Sequence, residues 1–161
     1  MSTQTLDAAI FPALDELRER SFPSPEALFL LGTGVGTLPS TLGASNSVSL
    51  SKLPGVPACW SGATLFAGRL NGLDVWLLDD APGGLQYGES NGGGTPAWAR
   101  AYPCWLARAA GAHLCVTTAA GIALRPTQVN ETDPQAALGS LALIKDHINL
   151  SRRTPLAGLG E

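Results

Sequence analysis

Ala27-Leu28-Phe29-Leu30-Leu31 is an unbroken apolar run that passes directly into Gly32-Thr33-Gly34-Val35-Gly36, and this junction constrains the chain more than any other feature. A run with no polar alternation predicts a strand covered on both faces, as in parallel sheets. Pro23 and Pro25 break the chain just before it, which sets its start. The glycines that follow let the backbone turn sharply and bring N–H groups close to an anion. Two familiar phosphate-binding motifs do not fit. The dinucleotide fingerprint needs a glycine where Thr37 stands and an acid about twenty residues on, where the chain has Ser51 and Lys52. The Walker loop needs a Gly-Lys-Ser/Thr, which is missing. A tight turn with no ligand also accounts for the loop taken alone.

The rest of the pattern alternates strand and helix. Leu6, Ile10, Leu14 and Leu17 have helical spacing, with Pro12 a possible bend. Thr64–Leu70 and Leu73–Leu78 read as strands around Asn71-Gly72, the strongest short hairpin signal because a type I′ turn needs positive φ at both central residues. Residues 79–95 are rich in Gly and read as a mobile loop. Pro96 suits the first turn of a helix running to about Ala110 and stopping at Gly111. His113–Thr118 reads as a second buried strand ending in Ala119-Ala120-Gly121, and Leu141–Ile144 as a further strand. No repeat or linker divides residues 1–161, so a single α/β domain is expected.

Composition excludes several function classes. Hydrophobic residues make up 45% and charged residues only 14%, below the usual quarter or so. Either the surface is rich in Ser, Thr and Gly, or another subunit covers part of it. The formal net charge is −3 and Arg152-Arg153 is the only basic pair, so nucleic acid is not an expected partner. Cys59, Cys104 and Cys115 form neither a disulfide framework nor a zinc spacing; Cys115, in an apolar run, is expected to be a small buried hydrophobe. The charged first twenty residues do not resemble a signal peptide. No apolar run approaches the ~20 residues that span a membrane. A reducing cytoplasm is the expected location.

Four landmarks occur together and in order: the strand with Gly32-Thr33-Gly34-Val35-Gly36, the Leu65–Gly72 segment ending Leu-Asn-Gly, the strand ending Val116-Thr117-Thr118-Ala119-Ala120-Gly121, and Ile144-Lys145-Asp146-His147-Ile148-Asn149-Leu150. Thr154-Pro155-Leu156 follows. In this order and spacing the chain resembles the N-terminal half of the trimeric purine nucleoside phosphorylases, over roughly residues 25–158. The resemblance implies a mixed-sheet nucleoside phosphorylase-like α/β fold, truncated. It also implies cleavage of a purine nucleoside by phosphate to free base and ribose 1-phosphate, with phosphate as co-substrate and no metal or organic cofactor. By the same resemblance Gly32, Thr33, Gly34 and Ala119 would contact phosphate, with the Thr33 hydroxyl standing for a serine, and Tyr87, Ala120 and Gly121 would line the nucleoside.

The chain departs from that family in its central loop. Aligned on Tyr87, Gly83 stands where the family has a phosphate-binding arginine and Leu85 where it has a histidine. Trp60-Ser61-Gly62 replaces a motif that normally holds a histidine, and Thr118 replaces an asparagine. The family's remaining base and ribose ligands belong to a C-terminal half that does not match anything before Glu161. His113 reads as a core residue; Asp146-His147 looks like a catalytic pair, but the resemblance implies that these residues shape a structural turn. No Gly-x-Ser-x-Gly elbow supports a hydrolase. Three functions stay open: a degenerate relative that binds a nucleoside, base or phosphate without efficient turnover, an active phosphorylase completed by an oligomer or a second chain, and a structural protein reusing the fold. A homo-oligomer is expected, because half of the family fold leaves a sheet edge open.

Overall fold

The Asn71-Gly72 turn organises the sheet. Asn71 has φ 49° and Gly72 has φ 89°, as a type I′ hairpin requires, and Leu70 pairs directly with Leu73. In the computed structural model, which describes residues 3–32, 34–44, 46–79, 97–119, 141, 143 and 144, this hairpin joins β3 (Thr64–Leu70) to β4 (Leu73–Asp79). The apolar run forms β1 (Ala27–Leu31), parallel to β4 on one side and to β5 (Leu114–Thr117) on the other. Strand β2 (Asn46–Ser49) adds antiparallel to β3, giving a five-stranded mixed sheet in the order β2-β3-β4-β1-β5. A mixed α/β sheet is therefore observed.

Alternation along the strands divides the core between two faces. Leu28 and Leu30 of β1, Trp76 and Leu78 of β4, and Leu65 and Ala67 of β3 point toward one face and pack with the helices. Ala27 and Leu31, with Val75 and Leu77, point to the other, beneath Val35, Leu38 and Leu42. Helix α1 (Thr3–Glu19) buries Leu6, Ile10, Leu14 and Leu17 on the first face. Pro12 is exposed and the helix continues through it.

The single helix expected to start at Pro96 is two. A short α2 (Leu38–Thr41) follows the glycine loop, α3 covers Ala97–Arg100, and α4 runs from Tyr102 to Ala110. Pro103 explains the break. It has no N–H to donate to the carbonyl four residues back, so Ala99 O is left for another donor, and Trp60 Nε1 takes it at 2.7 Å. Gly111, with φ 122°, ends α4 where the sequence places the stop.

Two strand expectations need correction. His113 lies outside β5 and is exposed, as is Cys115, so neither is a core residue. Strand β5 is the sheet's last strand among the described residues, and only β1 flanks it. The expected strand Leu141–Ile144 is not formed at its described positions. Leu141, Leu143 and Ile144 are 97%, 99% and 74% exposed, so no packing partner among the described residues holds them extended.

Tyr102 ties α4 to α1. It is fully buried, and its hydroxyl donates to Ala9 O at 3.3 Å. Burial pushes its pKa above the ordinary tyrosine range. Above the unfolded value of about 10 the unfolded chain loses this proton while the folded chain keeps it, so stability falls as pH rises. Tyr102→Phe is expected to cost about 0.5–1.5 kcal/mol at neutral pH through the lost hydrogen bond. It is also expected to lessen the loss of stability above pH about 10. Urea midpoints of both proteins at neutral and alkaline pH check this: the gap between them narrows as pH rises.

Candidate functional site

Parallel strands β4, β1 and β5 end side by side, and in open α/β sheets ligands bind outside such carboxyl ends. Asp79 closes β4, Gly32 follows β1, and Thr118-Ala119 follow β5. The approach of the last two is very close. A β-carbon built on Gly32 would collide with Thr118 O and lie 3.1 Å from Ala119 Cα, so only glycine fits.

Thr118 fastens this contact. Its Oγ1 accepts from Gly32 N at 2.8 Å and donates to Leu30 O at 3.4 Å, while its own N–H donates to Leu30 O at 2.9 Å. The Thr118 side chain thus bridges two strand ends. The sequence marks Thr118 only as a departure; a hydroxyl-bearing residue at a strand end opposite a glycine is the signal that could have singled it out.

The Gly32 N–H is therefore used inside the protein. Gly34, at φ 94°, has a left-handed conformation that favours glycine, and a β-carbon built on it would meet none of the described residues within 4 Å. Val35 N reaches Gly32 O at 3.4 Å, closing the turn. Ala119 is exposed beside Gly32. The structure thus brings Gly32, Gly34 and Ala119 to one edge of the sheet. Thr33, Tyr87, Ala120 and Gly121 lie outside the described residues, as do Gly83, Leu85 and His147.

Charge at this edge runs against a dianion. Asp79, which the sequence did not single out, sits close to the loop: a β-carbon built on Gly36 would lie 3.7 Å from its Oδ1. Gly32, Gly34, Val35, Gly36, Thr37, Asp79, Thr118 and Ala119 include no Lys, Arg or His. Phosphate here would meet a carboxylate and no cationic side chain from these residues, whereas a neutral ring can use backbone donors and acceptors. Among the described residues no group of three or more His, Cys, Asp or Glu could hold a metal ion.

At the opposite end of the sheet a cavity of about 390 Å³ opens between α4 and β5, lined by Leu28, Cys104, Arg108, His113, Leu114 and Cys115 among others. His113 contributes to that cavity and not to the strand-end site. No helix among the described residues is long and apolar enough to cross a membrane.

No family model matches the chain. Solved structures do. A Schistosoma mansoni purine nucleoside phosphorylase in complex with a monocyclic inhibitor superposes with a TM-score of 0.55 at 16% identity, over 72% of this chain and 40% of that one. A purine nucleoside phosphorylase in complex with ribose 1-phosphate gives 0.56 at 18% identity, over 72% and 41%. A schistosoma purine nucleoside phosphorylase bound to hypoxanthine gives 0.55 at 17% identity, over 74% and 39%. The chain thus spans about 40% of the length of these phosphorylases. At such identities the likeness concerns the fold, and it agrees with the fold that the sequence landmarks imply: the chain carries part of the purine nucleoside phosphorylase fold.

Proposed function

We propose that this chain binds a purine base or nucleoside, and more weakly phosphate, at the carboxyl ends of β1 and β5, without efficient turnover. The observation that carries the reading is the close approach of Gly32 to Thr118 and Ala119 at the strand ends, with Gly34 in the loop that follows β1. Structures with this fold hold ribose 1-phosphate, hypoxanthine and adenosine, which supports this class of ligand. Phosphate would contact Gly34, Ala119 and the Thr33 hydroxyl; Tyr87, Ala120 and Gly121 would line the base and sugar. Asp79 near the glycine loop, and the lack of a basic residue among the described residues that flank it at the strand ends, favour the neutral part of the ligand. No metal or organic cofactor is needed for this binding, and the cytoplasm, where purines are salvaged, is the proposed location.

Calorimetric titration tests the reading. Hypoxanthine or inosine is expected to bind saturably, with a dissociation constant below about 1 mM, equivalent to roughly −4 kcal/mol, and phosphate more weakly. Heats indistinguishable from dilution for all three would remove the proposal. Phosphate binding more tightly than the base would reverse the assignment of the Asp79 edge.

The flank of β5 that no described residue pairs with favours a second copy as partner. β5 pairs only with β1 among the described residues, and Leu114 is 48% exposed. Such an edge invites pairing, and a symmetric dimer would close it. Sedimentation equilibrium at micromolar concentration is expected to give twice the 16.6 kDa chain mass. A single 16.6 kDa species stable on dilution would rule the dimer out.

A further inference from the structure

Two of the chain's three cysteines, whose spacing forms neither a disulfide framework nor a zinc site, meet in the fold. Cys104 sits on α4 and Cys115 on β5, and their Sγ atoms are 3.8 Å apart. The helix and strand are joined only by Gly111, Ala112 and His113. That junction is tightly made: Gly111 N donates to Arg108 O at 3.2 Å and Ala112 N to Ala107 O at 2.9 Å. The short turn, not chance contact between distant loops, therefore sets the sulfur separation. We propose that Cys104 and Cys115 are a reversible dithiol–disulfide pair that ties the edge strand β5 to α4.

A disulfide needs its sulfurs about 2.05 Å apart, so the two must close by a little under 2 Å. A strand flanked on one side can shift more easily than one held on both, and β5 is such a strand among the described residues. Access is also suitable. Cys115 is exposed, Cys104 is half-buried, and the cavity between α4 and β5 is lined by both. Cys59 differs: its thiol faces Ala99 O at 3.9 Å, and burial, opposed by its own backbone N–H and by Arg100, pushes its pKa up.

The oxidant is a hydroperoxide such as hydrogen peroxide. The exposed Cys115 thiolate attacks one peroxide oxygen, the O–O bond breaks, and the leaving hydroxide takes a proton to become water. The resulting sulfenic acid is attacked at sulfur by the Cys104 thiolate. The S–S bond forms, the S–O bond breaks, and a second water leaves with the remaining proton. Two thiols are oxidised by two electrons and one peroxide is reduced to two waters. A dithiol reductant reverses the step by exchange. Thr118, whose hydroxyl meets Gly32, follows Cys115 by three positions, so the tie would also restrain the strand-end site.

The test uses the whole chain, treated with stoichiometric hydrogen peroxide, then denatured and alkylated. The expected product is about 2 Da lighter than the reduced protein, alkylates at Cys59 alone, and yields a linked peptide pair containing Cys104 and Cys115. Cys115→Ser is expected to abolish the link while Cys59→Ser keeps it. Amide hydrogen exchange at Leu114–Thr117 is expected to slow at least about threefold in the oxidised protein. Retention of all three thiols, a stable sulfenic acid with no link, or links chiefly between chains would overturn the proposal. A link with unchanged β5 exchange would overturn the tie. None of these readouts depends on nucleoside binding.

Discussion

Incubated with inosine or guanosine and phosphate, the purified chain is expected to release free base far more slowly than an ordinary phosphorylase. Cleavage of a glycosidic bond passes through an oxocarbenium-like transition state, so phosphate must be held beneath the anomeric carbon while negative charge grows on the departing base. Both tasks are electrostatic. By its resemblance to the trimeric phosphorylases, the chain would need an arginine and a histidine where it has Gly83 and Leu85. A guanidinium gives a bidentate, charge-assisted contact to phosphate, and neither glycine nor leucine offers a substitute. Asp79 beside the glycine loop adds a charge of the wrong sign. Losing one preorganised donor typically costs on the order of 10²–10³ in rate, and two are replaced. Chromatographic assay of hypoxanthine or guanine release checks this. A turnover number within the ordinary range of about 1–10³ per second would show that the alignment on Tyr87 is wrong.

Trp76→Ala is expected to destabilise the fold by about 3–5 kcal/mol, a large part of the roughly 5–15 kcal/mol that holds a typical domain together. Trp76 stands at the centre of β4, paired with Leu28 on one side and Ala67 on the other. It is 2% exposed, on the face covered by the helices. Its Nε1 donates to Pro23 O at 2.7 Å, and Phe22 packs against it edge-on with ring centroids 5.9 Å apart. Truncation would remove a large apolar surface, open a cavity, and leave Pro23 O without this donor just ahead of β1. Urea denaturation followed by circular dichroism measures the change. A loss below about 1 kcal/mol would mean the site can collapse around the missing ring, contrary to the packing described.

The residues that speak through local chemistry were legible. Asn71-Gly72 announced its turn because few residues accept positive φ, and the apolar run 27–31 announced a doubly covered strand; β1 and β3 keep the bounds the sequence gives them. β2 was hidden, because Val48 is the one inward apolar residue among Asn46, Ser47 and Ser49. β5 looked buried because its composition is apolar, yet burial depends on what covers a strand, and among the described residues only β1 flanks β5. The same limit applies to Leu141–Ile144. Pro103 as the cause of the helix break, and Trp60 as the donor that compensates for it, join segments some forty residues apart, which no local pattern reveals. At the candidate site the glycines were visible, whereas the Thr118 bridge and the nearness of Asp79 exist only once β1, β4 and β5 are side by side.

Amide NMR during titration with hypoxanthine reports both binding and place. Saturable shifts are expected at Gly32, Gly34, Val35, Thr118 and Ala119, with Leu114 and Cys115 at the far end of β5 unmoved. Shifts confined to the α4–β5 cavity, or none with ligand well above about 1 mM, would contradict binding at the strand ends.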